Sequence, residues 1–135
     1  MECVFCKIIK NEIPCTKLFE NKKVLAFLDI NPATKGHALI IPKAHYENIY
    51  EIPENDLKEV ISVVKKIAIA AKKALNAKGI NILQSNERVA GQVVFHLHFH
   101  VFPRFEDDGQ SFKWKHFNYK ENEAKEIAEK IRKEI

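Results

Sequence analysis

Histidine alternates with an apolar residue through Phe95-His96-Leu97-His98-Phe99-His100-Val101-Phe102, and a repeat of two residues is the signature of a β-strand. The histidines then share one face, and Leu97, Phe99 and Val101 take the other. One face is made to pack and the other carries imidazoles. Alternate strand residues lie roughly 6.5 to 7 Å apart at Cα, which separates His96 from His100 by about 13 Å. Zinc binds nitrogen at about 2.0 to 2.1 Å, so that span is too long for all three rings to close on one ion. At least one histidine is left for another task.

The remaining segments supply partners for this strand. Residues 17–19 and 24–28 are strand-like runs separated by the polar Glu20-Asn21-Lys22, a hairpin pattern. Gly36-His37-Ala38-Leu39-Ile40-Ile41 reads as a buried strand ended by Pro42, and residues 80–84 as a further one. Apolar residues from Leu57 to Leu75 recur at intervals of three and four, which predicts a long helix from near Pro53 to about Ala77, stopped by Gly79. Val63 and Ile69 widen its stripe beyond what one sheet needs. Either a second subunit or the C-terminal segment would cover the excess. A short helix or turn over residues 4–10 opens the chain, and Asn118 to Glu121 has capping-box spacing ahead of a last helix with Ala124, Ile127, Ala128 and Ile131 in one stripe. The order predicts one α+β domain over residues 1–135. Its mostly antiparallel sheet has about five strands, with one long central helix and a C-terminal helix.

Composition narrows the partners. Hydrophobic residues make up 46% of 135, enough for a core. The 22 Lys and Arg exceed the 18 Asp and Glu by four, but they interleave with the acids along helical segments instead of clustering as a nucleic-acid footprint would. Anionic small molecules fit better. No apolar run approaches the ~20 residues of a membrane span, and Met1-Glu2-Cys3 does not open a signal peptide. Three cysteines, an odd number, suit a reducing compartment. The expectation is a cytoplasmic protein with neither nucleic acid nor membrane as partner.

A neutral imidazole, with an unperturbed pKa of about 6.5, can attack an electrophile directly at neutral pH. Attack through Nε2 requires the proton to stay on Nδ1, held by an acceptor. His98, in the middle, is best placed for this, and His96 and His100 flank it to contact a metal, a substrate oxygen or a leaving group. Cys3-Val4-Phe5-Cys6 is half of a tetrahedral zinc site; two ordinary buried cysteines are the alternative. Cys15 has no partner at useful spacing, and His116, within the aromatic and basic Phe112-Lys113-Trp114-Lys115-His116-Phe117, suits packing or dimer contacts.

Taken in order, Phe5-Cys6-Lys7-Ile8-Ile9, Glu12-Ile13-Pro14, Ala26-Phe27-Leu28-Asp29-Ile30, Gly36-His37, Ile40-Ile41-Pro42-Lys43-Ala44-His45, Gly91-Gln92 and the alternating histidines resemble the histidine triad family of nucleotide hydrolases and transferases. The similarity runs from Cys3 to about Asp108. The resemblance implies that His98 attacks the α-phosphorus of a nucleotide, forms a covalent nucleotidyl-histidine, and yields a nucleoside monophosphate to water. By the same resemblance, His100 bonds the phosphate and His37 supports the site beside the attacking ring. Gln92 contacts the α-phosphate or the leaving oxygen, Asn86 reaches the ribose or phosphate, and Asp29 and Ile30 form the ribose wall.

The family's zinc-bearing members imply a structural zinc held by Cys3, Cys6, His45 and His96, and no organic cofactor. The resemblance, with the wide helix face, also implies a homodimer whose sheets join across a two-fold axis. Val93 departs from the branches that carry a hydroxyl residue after the glutamine. Pro103-Arg104 resembles the branches acting on dinucleoside polyphosphates, which favours such a substrate over a nucleoside phosphoramidate with an amine leaving group. A non-catalytic, zinc-stabilised nucleotide-binding module and a metalloenzyme using the triad as ligands are the readings from other classes.

Overall fold

A computed structural model describes residues 2–111 and 113–135. Cys3 caps a short helix α1, Val4–Ile9, its sulfur accepting from the Cys6 N–H at 3.4 Å. Strands β1, Lys17–Glu20, and β2, Val24–Leu28, form the expected hairpin. Asn21 closes it by accepting the N–H groups of Lys23 and Val24 on its side-chain oxygen, at 3.0 and 2.8 Å, a local competition for backbone donors that favours a turn. β3, Ala38–Pro42, helix α2, Glu54–Leu75, β4, Gly79–Gln84, β5, Phe99–Arg104, and helix α3, Glu123–Arg132, complete the chain. The five strands pair antiparallel in the order β1-β2-β3-β5-β4.

The period-two pattern divides the core between the two sheet faces. Val24, Ala26, Ala38, Ile40, Leu97, Phe99 and Val101 pack against Val60, Val63, Val64 and Ile67 of α2. Each of the Val, Leu, Ile and Phe side chains, fully withdrawn from water, contributes about 1.5 to 3 kcal/mol. On the opposite face Leu25, Phe27, Leu39 and Ile41 meet Phe5 and Ile8 of α1. Pairing of Leu39 with His100 in the β3–β5 ladder puts the histidines on this second face.

Four local expectations need correction. The histidine strand is regular only from Phe99; His96, in a bend, and His98 lie in the irregular lead-in, where Leu97 N–H bonds the Tyr46 carbonyl at 2.7 Å instead of a strand. Helix α2 ends at Asn76, in the left-handed conformation at φ 52°, before Gly79 is reached. The Asn118–Glu121 box caps nothing, since α3 starts at Glu123, whose carboxylate accepts the Lys120 N–H at 2.9 Å. Nor does the C-terminal segment cover the face of α2: α3 buries no residue, Val63, expected to widen the stripe, packs into the sheet core, and Ile69 stays 48% exposed, as does Ile61 at 45%. Among the described residues no helix is long and apolar enough to cross a membrane. Phe112 of the aromatic, basic tail lies outside the described residues.

Candidate active site

Main-chain groups, acting directly or through His37, fix which ring nitrogen of each triad histidine carries its proton, and His98 ends opposite to its two neighbours. His98 Nδ1 lies 2.7 Å from the His96 carbonyl. A carbonyl only accepts, so Nδ1 holds the proton and Nε2 keeps its lone pair, the tautomer a nucleophile needs. His96 is reversed: its Nε2–H donates to the Pro42 carbonyl at 2.8 Å, leaving Nδ1 with a free lone pair. Phe5 meets both rings edge-on, with centroids 5.8 Å from His96 and 5.2 Å from His98.

His100 receives its tautomer through His37. The Ala33 N–H donates to His37 Nδ1 at 3.1 Å, so a neutral His37 carries its proton on Nε2. That Nε2–H lies 2.9 Å from His100 Nδ1 and 3.6 Å from an Asp29 carboxylate oxygen. His100 therefore accepts at Nδ1 and presents Nε2–H. Phe102 backs the pair, stacked on His100 at 5.4 Å and tilted against His37 at 4.2 Å.

Burial keeps these rings neutral. Desolvation, with smaller repulsion from His98 and His37, depresses His100 to about 4. His37 and His98 are also lowered, chiefly by burial; the Asp29 carboxylate pulls His37 the other way, and the His96 carbonyl, then Asp29, do so for His98. A lone-pair nucleophile and an N–H donor thus stand side by side at neutral pH, ring centroids 4.9 Å apart.

The second cluster brings together Cys3, Cys6, His45 and His96. On a tetrahedral zinc two ligand nitrogens stand about 3.3 Å apart and a nitrogen and a sulfur about 3.6 Å, from bonds of about 2.0 to 2.1 and 2.3 Å. His45 Nδ1 and His96 Nδ1 are 3.1 Å apart, Cys6 Sγ lies 3.4 and 3.7 Å from them, and Cys3 Sγ lies 3.5 Å from His96 Nδ1. The bare Nδ1 of His96 faces the cluster because Pro42 has taken its other nitrogen. The residues fit a four-ligand ion.

The loop residues expected at the nucleotide have other partners. Gln92 is 3% exposed; its amide donates to the Glu47 and Val94 carbonyls at 2.6 and 3.1 Å and accepts the Glu87 N–H at 2.7 Å. Asn86 exchanges amide bonds with Gln84, both 2.8 Å, and accepts the Ile49 N–H. Both hold the loop in shape. Arg104 is committed to Asp108, Asn81 and the Gln110 carbonyl, so its guanidinium is engaged at the foot of β5. Asp29 sits beside His37, and Ile30 is 91% exposed next to it.

Sequence reasoning missed the atoms that set the tautomers, because they are main-chain groups of Ala33, Pro42 and His96, which no residue type advertises. Gly36 was the available signal. Its φ of +87° and the Thr34 O to His37 N bond of 3.0 Å match a type II turn, which delivers His37 to the site.

An antiparallel sheet bearing a row of neutral, tautomer-fixed imidazoles beside a four-ligand cluster defines a class of protein. The HIT domain model matches residues 10–107, and the chain belongs to that family. An adenosine 5'-monophosphoramidase of Schizosaccharomyces pombe is 41% identical over 136 residues, covering 100% of this chain and 99% of its own. The crystal structure of a HIT family member from Bacillus subtilis superposes with a TM-score of 0.95 at 43% identity, covering 100% of this chain and 98% of the other. A zinc-bound histidine triad protein from Mycobacterium smegmatis has a TM-score of 0.78 at 39% identity, covering 85% and 84%.

Proposed function

We propose that the protein is a nucleotide hydrolase that cleaves at the α-phosphate through a covalent nucleotidyl-histidine. The carrying observation is the Nδ1–H bond of His98 to the His96 carbonyl, which leaves Nε2 as a neutral nucleophile. His98 Nε2 forms a bond to phosphorus as the bond to the leaving group breaks. Water then attacks the same phosphorus, the P–N bond breaks, and a nucleoside monophosphate leaves with His98 regenerated. Splitting one displacement into two gives each step a better nucleophile or leaving group. His100 Nε2–H donates to a phosphate oxygen, and His37 supports it. Asp29 and Ile30 form the ribose wall, and Asn86 and Gln92 act on the nucleotide by shaping the loop that borders it.

Two classes of leaving group remain in play: a nucleoside polyphosphate from a dinucleoside polyphosphate, or the amine of a nucleoside phosphoramidate. The engagement of Arg104 with Asp108 and Asn81 weakens the case that Pro103-Arg104 made for polyphosphates. The relative named a monophosphoramidase supports the amine. Burial holds His37 and His100 neutral, so an amine takes its proton from outside these two rings.

Zinc on Cys3, Cys6, His45 and His96 fits this reading as a structural ion. With four protein ligands it ties the chain start to the strand lead-in and keeps no position for water. We also propose a single domain acting as a cytoplasmic homodimer, its interface covering the exposed side of α2 and the β4 edge, where Ile82 is 52% exposed.

Intact-mass spectrometry after rapid mixing, quenched at alkaline pH, tests the mechanism with a diadenosine polyphosphate and with an adenosine phosphoramidate. A transient gain of one nucleoside monophosphate, absent in His98→Ala, is expected, and the better substrate identifies the leaving group. No adduct, with turnover intact in His98→Ala, would sink the mechanism. Full biological activity in that variant would favour the binding module.

A further inference from the structure

We propose that Gln110, which the family model does not reach, is a positioning residue for the histidine pair: its amide pins the loop that selects the His37 tautomer and, through it, the proton His100 presents. The hydrogen-bond chain is continuous. Gln110 Nε2 donates to the Ala33 carbonyl at 3.0 Å across 77 residues of sequence, and the N–H of Ala33 donates to His37 Nδ1 at 3.1 Å. His37 Nε2–H then meets His100 Nδ1 at 2.9 Å.

Gln110 can pin a loop because it is itself held. Its N–H donates to Asp108 at 3.0 Å, and its carbonyl accepts from Arg104 at 2.9 Å. Arg104 is braced by Asp108 and by Asn81 on β4, at 2.8 Å each, and Asp108 also accepts the Phe105 N–H at 2.9 Å. The anchor is therefore the sheet itself. On the far side the Thr34 to His37 turn is closed, so Ala33 is fixed from both directions only while the Gln110 bond stands.

The choice matters because two neutral histidines in contact have two arrangements. In the one described, both Nδ1 atoms accept and His100 Nε2–H faces outward. In the reverse, His37 carries Nδ1–H, His100 donates Nδ1–H to His37 Nε2, and His100 Nε2 turns a lone pair towards an anionic phosphate. The Ala33 N–H forbids the reverse, since two N–H groups would face each other. Releasing Ala33 admits it. The kinetic arm of this inference rests on the nucleotide-transfer reading above; the tautomer arm does not.

The test uses Gln110→Ala, Gln110→Glu and Gln110→Lys, read by long-range ¹⁵N–¹H correlation of the histidine rings in the substrate-free protein and by kcat/KM on adenosine phosphoramidate. Ala and Glu remove the donor; both are expected to mix the tautomers of His37 and His100 and to lower kcat/KM roughly three- to tenfold, the range of one neutral hydrogen bond. Lys keeps a donor and is expected to restore both readouts. Wild-type ring patterns in all three variants would overturn the proposal, as would equal behaviour of Glu and Lys. A melting temperature lowered without change at the rings would show a purely structural bond and also overturn it. Shifted rings with unaltered turnover would support the positioning and refute the donor role given to His100.

Discussion

Replacing Gly36 by alanine tests whether the turn before His37 is built as described. The added Cβ would meet Leu75 Cδ1 at 2.4 Å and Pro103 Cγ at 3.2 Å, and the residue would have to keep a φ of +87°. The left-handed backbone costs a side chain about 1 to 2 kcal/mol. Crowding adds about 1 to 3 kcal/mol where neighbours cannot move. Leu75 Cδ1 is the end of a flexible side chain in the last turn of α2 and can rotate, whereas the Pro103 ring on β5 cannot. The expected loss is therefore about 2 to 4 kcal/mol in urea denaturation at neutral pH. Leu75→Ala in the same background removes one clash but not the backbone cost, so the two substitutions should couple by about 1 kcal/mol. The His37 N–H bonds the Thr34 carbonyl inside this turn, so kcat should fall with stability. A Gly36→Ala protein within about 0.5 kcal/mol of wild type, the range of a neutral surface change, would refute the reasoning.

Glu87 holds φ 74° and ψ 156°, a region open in practice only to glycine. Glu87→Gly should release part of a strain of about 1 to 3 kcal/mol, less about 0.5 to 1 kcal/mol of glycine entropy, and raise the melting temperature; a lower one would contradict the assigned strain. Stability should also fall with acid. His100 titrates at about 4 in the native state against 6.5 unfolded, so between those values the unfolded chain binds the extra proton and stability drops as pH falls. The slope of the urea midpoints across that window should lessen in His100→Asn, with His96, likewise lowered to about 4 by burial, and His37 and His98 supplying the remainder, and an unchanged slope would exclude His100 as a source. Finally, a zinc chelator should lower the melting temperature of the wild type by several degrees and leave that of Cys6→Ser unmoved, because metal affinity adds directly to folding free energy. Identical responses in the two proteins would remove the metal from the site.

Elements with a strong repeat were legible in the chain. The apolar spacing of α2 reflects burial on one face, the unbroken apolar runs of β2 and β3 reflect burial on both, and the histidine alternation marks β5, so these patterns place the elements. Their ends were not, because ends depend on partners. The histidine strand begins at Phe99 because Leu97 bonds Tyr46, a residue 51 positions earlier that no local pattern names. The zinc-type cluster was half visible, since Cys3 and Cys6 sit at ligand spacing while His45 and His96 came only through resemblance. Gln92 and Asn86 were found as residues, yet the backbone groups they satisfy are set by how the loop closes on residues 47–49.

The alternating histidines share a sequence pattern yet end in two opposite tautomers, His98 with its proton on Nδ1 and His96 and His100 with theirs on Nε2. Position along the strand does not decide this, for all three rings lie on one side of the sheet. The main-chain atom facing each ring decides it. The Pro42 carbonyl leaves the His96 lone pair on Nδ1, the His96 carbonyl leaves that of His98 on Nε2, and the Ala33 N–H, acting through His37, leaves His100 with an Nε2–H. A carbonyl of one histidine thus orients the next, so on the proposed reading a substitution at His96 would reach His98 through the backbone as well as through a bound metal. His96→Cys, which can still ligate, tests the point against Phe5→Leu, which alters the ring packing but leaves the carbonyl: a His98 tautomer that shifts in the first and not in the second would trace to the moved carbonyl, and one unchanged in His96→Cys would refute it.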